Sequence, residues 1–82
     1  MKSKDKLMQD TGIVLKMLRE RKSKEDEMKL TQNELAEYAG MSVRYYNKLE
    51  KGKSIPTIDT LMKIAEAYKM TLSEICRMIE EC

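Results

Sequence analysis

An all-α fold of five helices is predicted from three observations. Apolar residues recur at helical spacing in successive segments, and no stretch alternates convincingly as a strand. Two Thr-x-x-Glu capping boxes, at Thr31 and Thr71, signal helix starts. Three Gly and one Pro in 82 residues leave little material for turns, so connections should be few and short. The length gives room for one small domain over residues 1–82. At 41% hydrophobic the chain can build one compact core, without Trp or Phe, from Leu, Ile, Met, Ala and four Tyr. Eight Met should make its packing adaptable.

The first helix is predicted over residues 12–21, with Ile13, Val14, Met17 and Leu18 as its apolar stripe. Leu7 and Met8 can extend it upstream, although Gly12 weighs against that. Residues 1–8 read as a flexible, solubilising start, or as an arm whose Lys2, Lys4 and Lys6 reach a polyanion. Residues 23–29 are a charged insertion, either a solvated loop or an extra turn of helix. Thr31 and Glu34 cap a second helix that buries Leu35, Ala36, Tyr38 and Ala39 and stops at Gly40. Ser42 caps a third helix, which ends at Gly52. A fourth begins at Pro56-Thr57, with Ile58, Leu61, Met62, Ile64, Ala65 and Tyr68 at helical spacing. Thr71 and Glu74 open a fifth, with Leu72, Ile75, Cys76 and Ile79 on one side.

Several function classes are excluded by composition. The chain has no His, which removes His-based acid–base catalysis, His-activated nucleophiles and His-containing metal sites. No apolar run approaches the ~20 residues that span a bilayer, and the Lys-rich start leads into no signal-peptide core. Cys76 and Cys82 would lie ~9 Å apart along one helix, too far to bridge, and read as free thiols in a reducing cytoplasm. No nucleophile–base pair, metal cluster or phosphate-cradling Gly loop is present, so neither an enzyme nor a cofactor is expected. The net charge is only +2, but it is segregated. Residues 1–24 carry +5, residues 25–40 carry −4, residues 41–56 carry +3 and residues 57–82 carry −2.

The basic middle block coincides with two short helices joined by a tight Gly turn, the arrangement that can set a second helix into the DNA major groove. At about 100° per residue, Val43, Arg44, Asn47, Lys48 and Lys51 share one face of the third helix. Tyr46 and Leu49 fall on the other face. Arg and Lys can donate to guanine O6 and N7, Asn can pair with adenine, and Val43 can pack on a thymine methyl. A polar helix face of this kind is more often simply solvated. The pattern alone does not decide between the two.

The run from Leu30 to Ile75 resembles the helix-turn-helix domain of the phage repressor and Cro (XRE-like) family. It matches at Gln32, Glu34-Leu35-Ala36, Gly40, Ser42, Leu49-Glu50-Lys51-Gly52, Pro56 and Leu61 in order, with Arg19 in the first helix. The resemblance implies a compact five-helix, lambda-repressor-like domain, a transcriptional regulator, and a homodimer on a two-fold operator. Carried over by position, Val43, Arg44, Asn47 and Lys48 would face bases. Gln32, Tyr45, Lys51, Lys53 and the amides near Ser54 would hold phosphates, and Arg19 and Glu50 would form a structural ion pair.

The sequence departs from that pattern in three places. The insertion at residues 23–29 carries Glu25, Asp26 and Glu27, which must lie away from DNA. Tyr68-Lys69 replaces the usual Leu-Gly, so the turn must differ or hold Lys69 at positive φ. The chain stops soon after the fifth helix, and no sensor domain is expected. The apolar stripe of that helix, Leu72, Ile75 and Ile79, is either core closure or a dimer seam. The reading is a cytoplasmic DNA-binding repressor of bacterial, phage or mobile-element origin. An antitoxin, an operon-control protein or a protein-interaction module on the same fold is the alternative.

Overall fold

The computed structural model describes residues 2–82. Met1, the first residue of the expected flexible start, lies outside the described residues. Five helices follow one another: α1 (Lys4–Glu25), α2 (Gln32–Ala39), α3 (Val43–Glu50), α4 (Ile58–Ala67) and α5 (Leu72–Glu81). Each begins at a hydroxyl. Ser3, Thr31, Ser42, Thr57 and Thr71 accept from the backbone N–H three residues on. Glu34 and Glu74 complete both expected capping boxes.

Four of the helices stop in the same way, with one residue turned left-handed and the next N–H reaching back to a carbonyl in the last turn. Gly40 and Gly52 adopt φ 72° and 70°, followed by the bonds Met41 N to Ala36 O and Lys53 N to Lys48 O. Glu27 and Lys69 do the same at φ 54° and 57°, with Met28 N to Ser23 O and Met70 N to Ala65 O. A side chain in this conformation costs about 1–2 kcal/mol. Positive φ at Lys69 is one of the two outcomes expected for the turn into α5.

α1 is twice as long as expected, and Gly12 explains both its length and its place. An added Cβ there would stand 2.5 Å from the Glu50 carbonyl oxygen and 2.9 Å from that of Leu49. The glycine therefore marks the closest approach of α1 to the end of α3, not a break in the helix. The helix also runs three residues into the insertion, to Glu25, and the insertion closes through Ser23. Its Oγ donates to Arg19 O and accepts from Leu30 N, at 2.9 and 2.7 Å. The rest of the expected loop is a short turn carrying exposed Glu27 and Met28.

The core collects Val14, Leu15, Leu18, Leu35, Ala36, Ala39, Tyr46, Leu49, Leu61, Ile64, Ala65, Ile75 and Ile79. Each large aliphatic side chain buried there contributes about 1.5–3 kcal/mol. α1 packs on α3 and α5, α2 on α3 and α4, and α4 on α5.

Four expectations require correction. Ile13 and Met17 are exposed, and Leu15 is buried in their place, because α1 meets α3 and α5 through its Thr11-Val14-Leu15-Leu18 face. Tyr38 is 80% exposed and not buried. Residues 2–8 are no free arm: Lys2 and Lys6 bind the buried carboxylate of Asp10, at 2.6 and 2.9 Å. Ile75 and Ile79 belong to this protomer's own core, with Leu72 packed beside them, so they are not free to form a dimer seam. Among the described residues, no helix is long and apolar enough to cross a membrane.

Candidate nucleic-acid interface

α2 and α3 are joined by Gly40, Met41 and Ser42 alone, so the orientation of α3 is set by the α2 turn and by its own buried side. Tyr46 and Leu49 are completely buried on that side. Val43, Arg44 and Lys48 stand exposed on the opposite face, with Asn47 half-buried between the faces. Lys51 and Lys53 continue the exposed basic surface into the loop, and Ser54 is half-buried behind them. The Tyr45 hydroxyl donates to Ile55 O at 3.4 Å, tying α3 to the same loop.

Glu50 is the only acid on α3, and it does not oppose this positive surface. Arg19 grips it from α1 with two bonds, Nε to Oε2 at 2.8 Å and Nη2 to Oε1 at 3.0 Å. Little of either side chain is exposed, 14% for Arg19 and 4% for Glu50. Burial works against the Glu50 charge, but the bonds from Arg19 and neighbouring donors outweigh it and hold the carboxyl below the usual range. Arg19 also donates Nη1 to Leu30 O at 3.1 Å, which ties the end of the insertion to the pair. The expected ion pair is thus present and links α1 to α3.

Two further bonds extend the pair toward the surface. Gln32, the first residue of α2, donates Nε2 to Glu50 Oε1 at 3.0 Å. Asn47 in turn donates Nδ2 to Gln32 Oε1 at 2.8 Å. Gln32 and Asn47 were each singled out from the sequence as separate contacts to DNA, and the structure joins them to one another. A fifteen-residue separation across a helix turn carried no signal for that bond.

The acidic insertion stands elsewhere. Asp26 pairs with Lys22 at 3.5 Å and lines a cavity with Met28, Tyr38 and Lys69, to which α3 contributes nothing. Cys76 and Cys82 are both free and exposed. No group of His, Cys, Asp or Glu among the described residues could hold a metal ion.

The family model described as Helix-turn-helix matches residues 15–75, about three quarters of the chain. The chain belongs to the helix-turn-helix family. Among relatives of this helix-turn-helix chain is the cryptic phage CTXphi transcriptional repressor RstR of Vibrio cholerae, 39% identical over 46 residues. That match covers 56% of this chain and 41% of the relative. The HTH-type transcriptional repressor RghR of Bacillus subtilis is 41% identical over 64 residues, covering 77% of this chain and 43% of the relative. The chain therefore spans less than half the length of the curated relatives it matches. The family assignment agrees with the resemblance carried by Leu30–Ile75, and with a binding protein in place of an enzyme.

Proposed function

We propose that this chain is a sequence-specific, double-stranded DNA-binding transcriptional repressor that acts in the cytoplasm as a homodimer on an inverted-repeat operator. The observation that carries this reading is the outer face of α3, where Arg44, Lys48, Lys51 and Lys53 are exposed together while Glu50 is neutralised by Arg19. Val43, Arg44, Asn47 and Lys48 would read base edges in the major groove. Lys51, Lys53, the amides near Ser54 and the Tyr45 hydroxyl would hold phosphates. Repression is favoured by the two relatives, both transcriptional repressors. Occupying a promoter needs only the surface described here. Pairing would draw on Ile55, Ile58 and Met62, all at least half exposed, because Ile75 and Ile79 are committed to the core.

The test is selection of bound sequences from a random DNA pool at two salt concentrations. An enriched inverted repeat, with half-sites about one helical turn apart, is the expected result. Weak, salt-sensitive binding without enrichment would favour a protein-interaction module instead. Once an operator is known, Arg44→Ala should cost ~1–3 kcal/mol on it and relax one base position. Equal loss on operator and random DNA would remove Arg44 from base reading.

A further inference from the structure

We propose that Gln32 is a positioning residue that locks the Asn47 side-chain amide in one orientation and thereby sets the base preference at the position Asn47 faces. The inference rests on the reading of α3 as a base-reading helix and adds a second, non-contacting determinant of specificity.

The argument is one of donor and acceptor direction. Glu50, held by two bonds from Arg19, is a carboxylate and can only accept. Gln32 must therefore turn its NH2 group toward Glu50, as it does at 3.0 Å. Turned the other way, its oxygen would face a carboxylate oxygen and two acceptors would meet. With its NH2 committed, Gln32 presents Oε1 to Asn47, and an oxygen of this kind also only accepts. Asn47 must then point Nδ2 inward, as it does at 2.8 Å. Each orientation follows from the one before it, starting at an ion pair anchored on α1.

Asn47 thus cannot present its amide in either sense. One amide hydrogen serves Gln32, and Oδ1 with the second hydrogen remains for a base edge. One acceptor and one donor in fixed order match adenine, which offers the N6 amino group beside N7. A freely turning amide would offer both orders and discriminate less. Freezing the rotor before DNA arrives also removes part of the ordering cost of binding.

The experiment compares Gln32→Met, Asn47→Ala and the double variant on the selected operator, on operators changed at each single position, and on random DNA. Met keeps the length of Gln32 without its amide and leaves the Arg19–Glu50 bonds in place. Asn47→Ala should lose on the order of tenfold discrimination at one position per half-site. Gln32→Met should lose most of that discrimination at the same position, with random-DNA binding and the salt slope unchanged. In the double variant the Gln32 change should add nothing further there. Equal loss from Gln32→Met on every DNA, with no coupling to Asn47, would mean that Gln32 serves a phosphate and would overturn the proposal alone. No change of preference from Asn47→Ala at any position would overturn the base-reading role of Asn47 and this proposal together. A second measurement needs no variant: in the free protein, one Asn47 amide hydrogen should exchange slowly by NMR. Exchange of both Asn47 amide hydrogens at the rate of an open, solvated side-chain amide would also sink the lock.

Discussion

Two carboxylates among the described residues are shielded from solvent, and they are held in opposite ways. Asp10 lies under Lys2 and Lys6, one cation to each oxygen, at 2.6 and 2.9 Å. Lys2 goes on to the carbonyls of Ile79 and Cys82 at the end of α5, at 2.7 and 3.2 Å. This circuit closes on backbone and ties the start of the chain to its last helix, where a cation suits the helix dipole. Glu50 is held by one cation, Arg19, and its circuit runs outward through Gln32 to Asn47 on the exposed face. The same charge-assisted chemistry closes on backbone in one region, and in the other leads through Gln32 to a side-chain amide at the surface. The difference lies in redundancy as well as direction, since Asp10 has two cations and Glu50 has one.

Loss of the single cation should be the largest effect. Arg19→Ala leaves Glu50 without its counter-ion under 4% exposure, and should cost ~3 kcal/mol of folding stability. At about 4–8 °C per kcal/mol for a domain of this size, thermal unfolding would show it plainly. Lys6→Ala, which leaves Lys2 on Asp10, should change the midpoint little. Equal losses from the two variants would break the contrast in redundancy.

Gly12→Ala comes next, at ~2 kcal/mol of net destabilisation. Alanine is the better helix former by about 1 kcal/mol, so an isolated α1 would gain. Within the fold its Cβ would meet the Glu50 carbonyl at 2.5 Å, and backbone there must move. Because that backbone carries Glu50, operator discrimination should fall along with stability. A variant as stable as the parent in chemical denaturation would show that α1 and α3 can separate freely at this point.

Much of this was legible in the sequence wherever the determinant is local. The Thr31 and Thr71 capping boxes, the left-handed turns at Gly40 and Gly52, and the inward side of α3 each depend on residues within one or two turns of each other. The Arg19–Glu50 pair is distant in sequence and was reached only through resemblance. The phase of α1 was not legible, because Ile13-Val14-Leu15 is an unbroken apolar run and only the packing of α3 and α5 selects Val14 and Leu15. Tyr38 was misplaced because four of the eight residues of α2 are apolar or aromatic, more than its narrow contact with α3 and α4 can cover. Lys6 and Asp10 stand four apart on one helix and form a readable pair. The bond from Lys2 to Ile79 crosses 77 positions, and no periodicity announces it. The bond from Gln32 to Asn47 was missed for the same reason, although each residue was marked on its own.

Acid should expose the Asp10 circuit. Bonds from Lys2, then from Lys6, hold its carboxyl below the usual range. Glu50 is also held low, so both groups bind protons more readily in the unfolded chain than in the folded one. The stability they contribute is present above the ordinary carboxylate range and is lost as pH falls through their depressed folded values. Asp10→Asn should flatten the acid limb of a plot of midpoint against pH and leave the neutral-to-alkaline shape nearly intact. An unchanged acid limb would assign that limb to Glu50 together with Glu34 and Glu74, which the backbone and hydroxyl of Thr31 and Thr71 also hold low.

The smallest effect separates the two regions by what they leave unpaired. The buried side-chain polar atoms without a hydrogen-bond partner among the described residues are the hydroxyls of Tyr46 and Tyr68. Both lie on the Glu50 side, where burial, with the Glu50 charge nearby, pushes both phenols well above their ordinary value. A buried hydroxyl without a partner costs more than it returns, so Tyr68→Phe should be neutral or stabilising by up to ~1 kcal/mol. On thermal unfolding that is a rise of at most about 4–8 °C. Tyr46→Phe should behave likewise if its hydroxyl is idle. A loss of stability in Tyr46→Phe alone would mean that this hydroxyl donates to Glu50 in solution. Glu50 would then have a second internal donor beside Gln32, and its circuit would be less open than the geometry indicates.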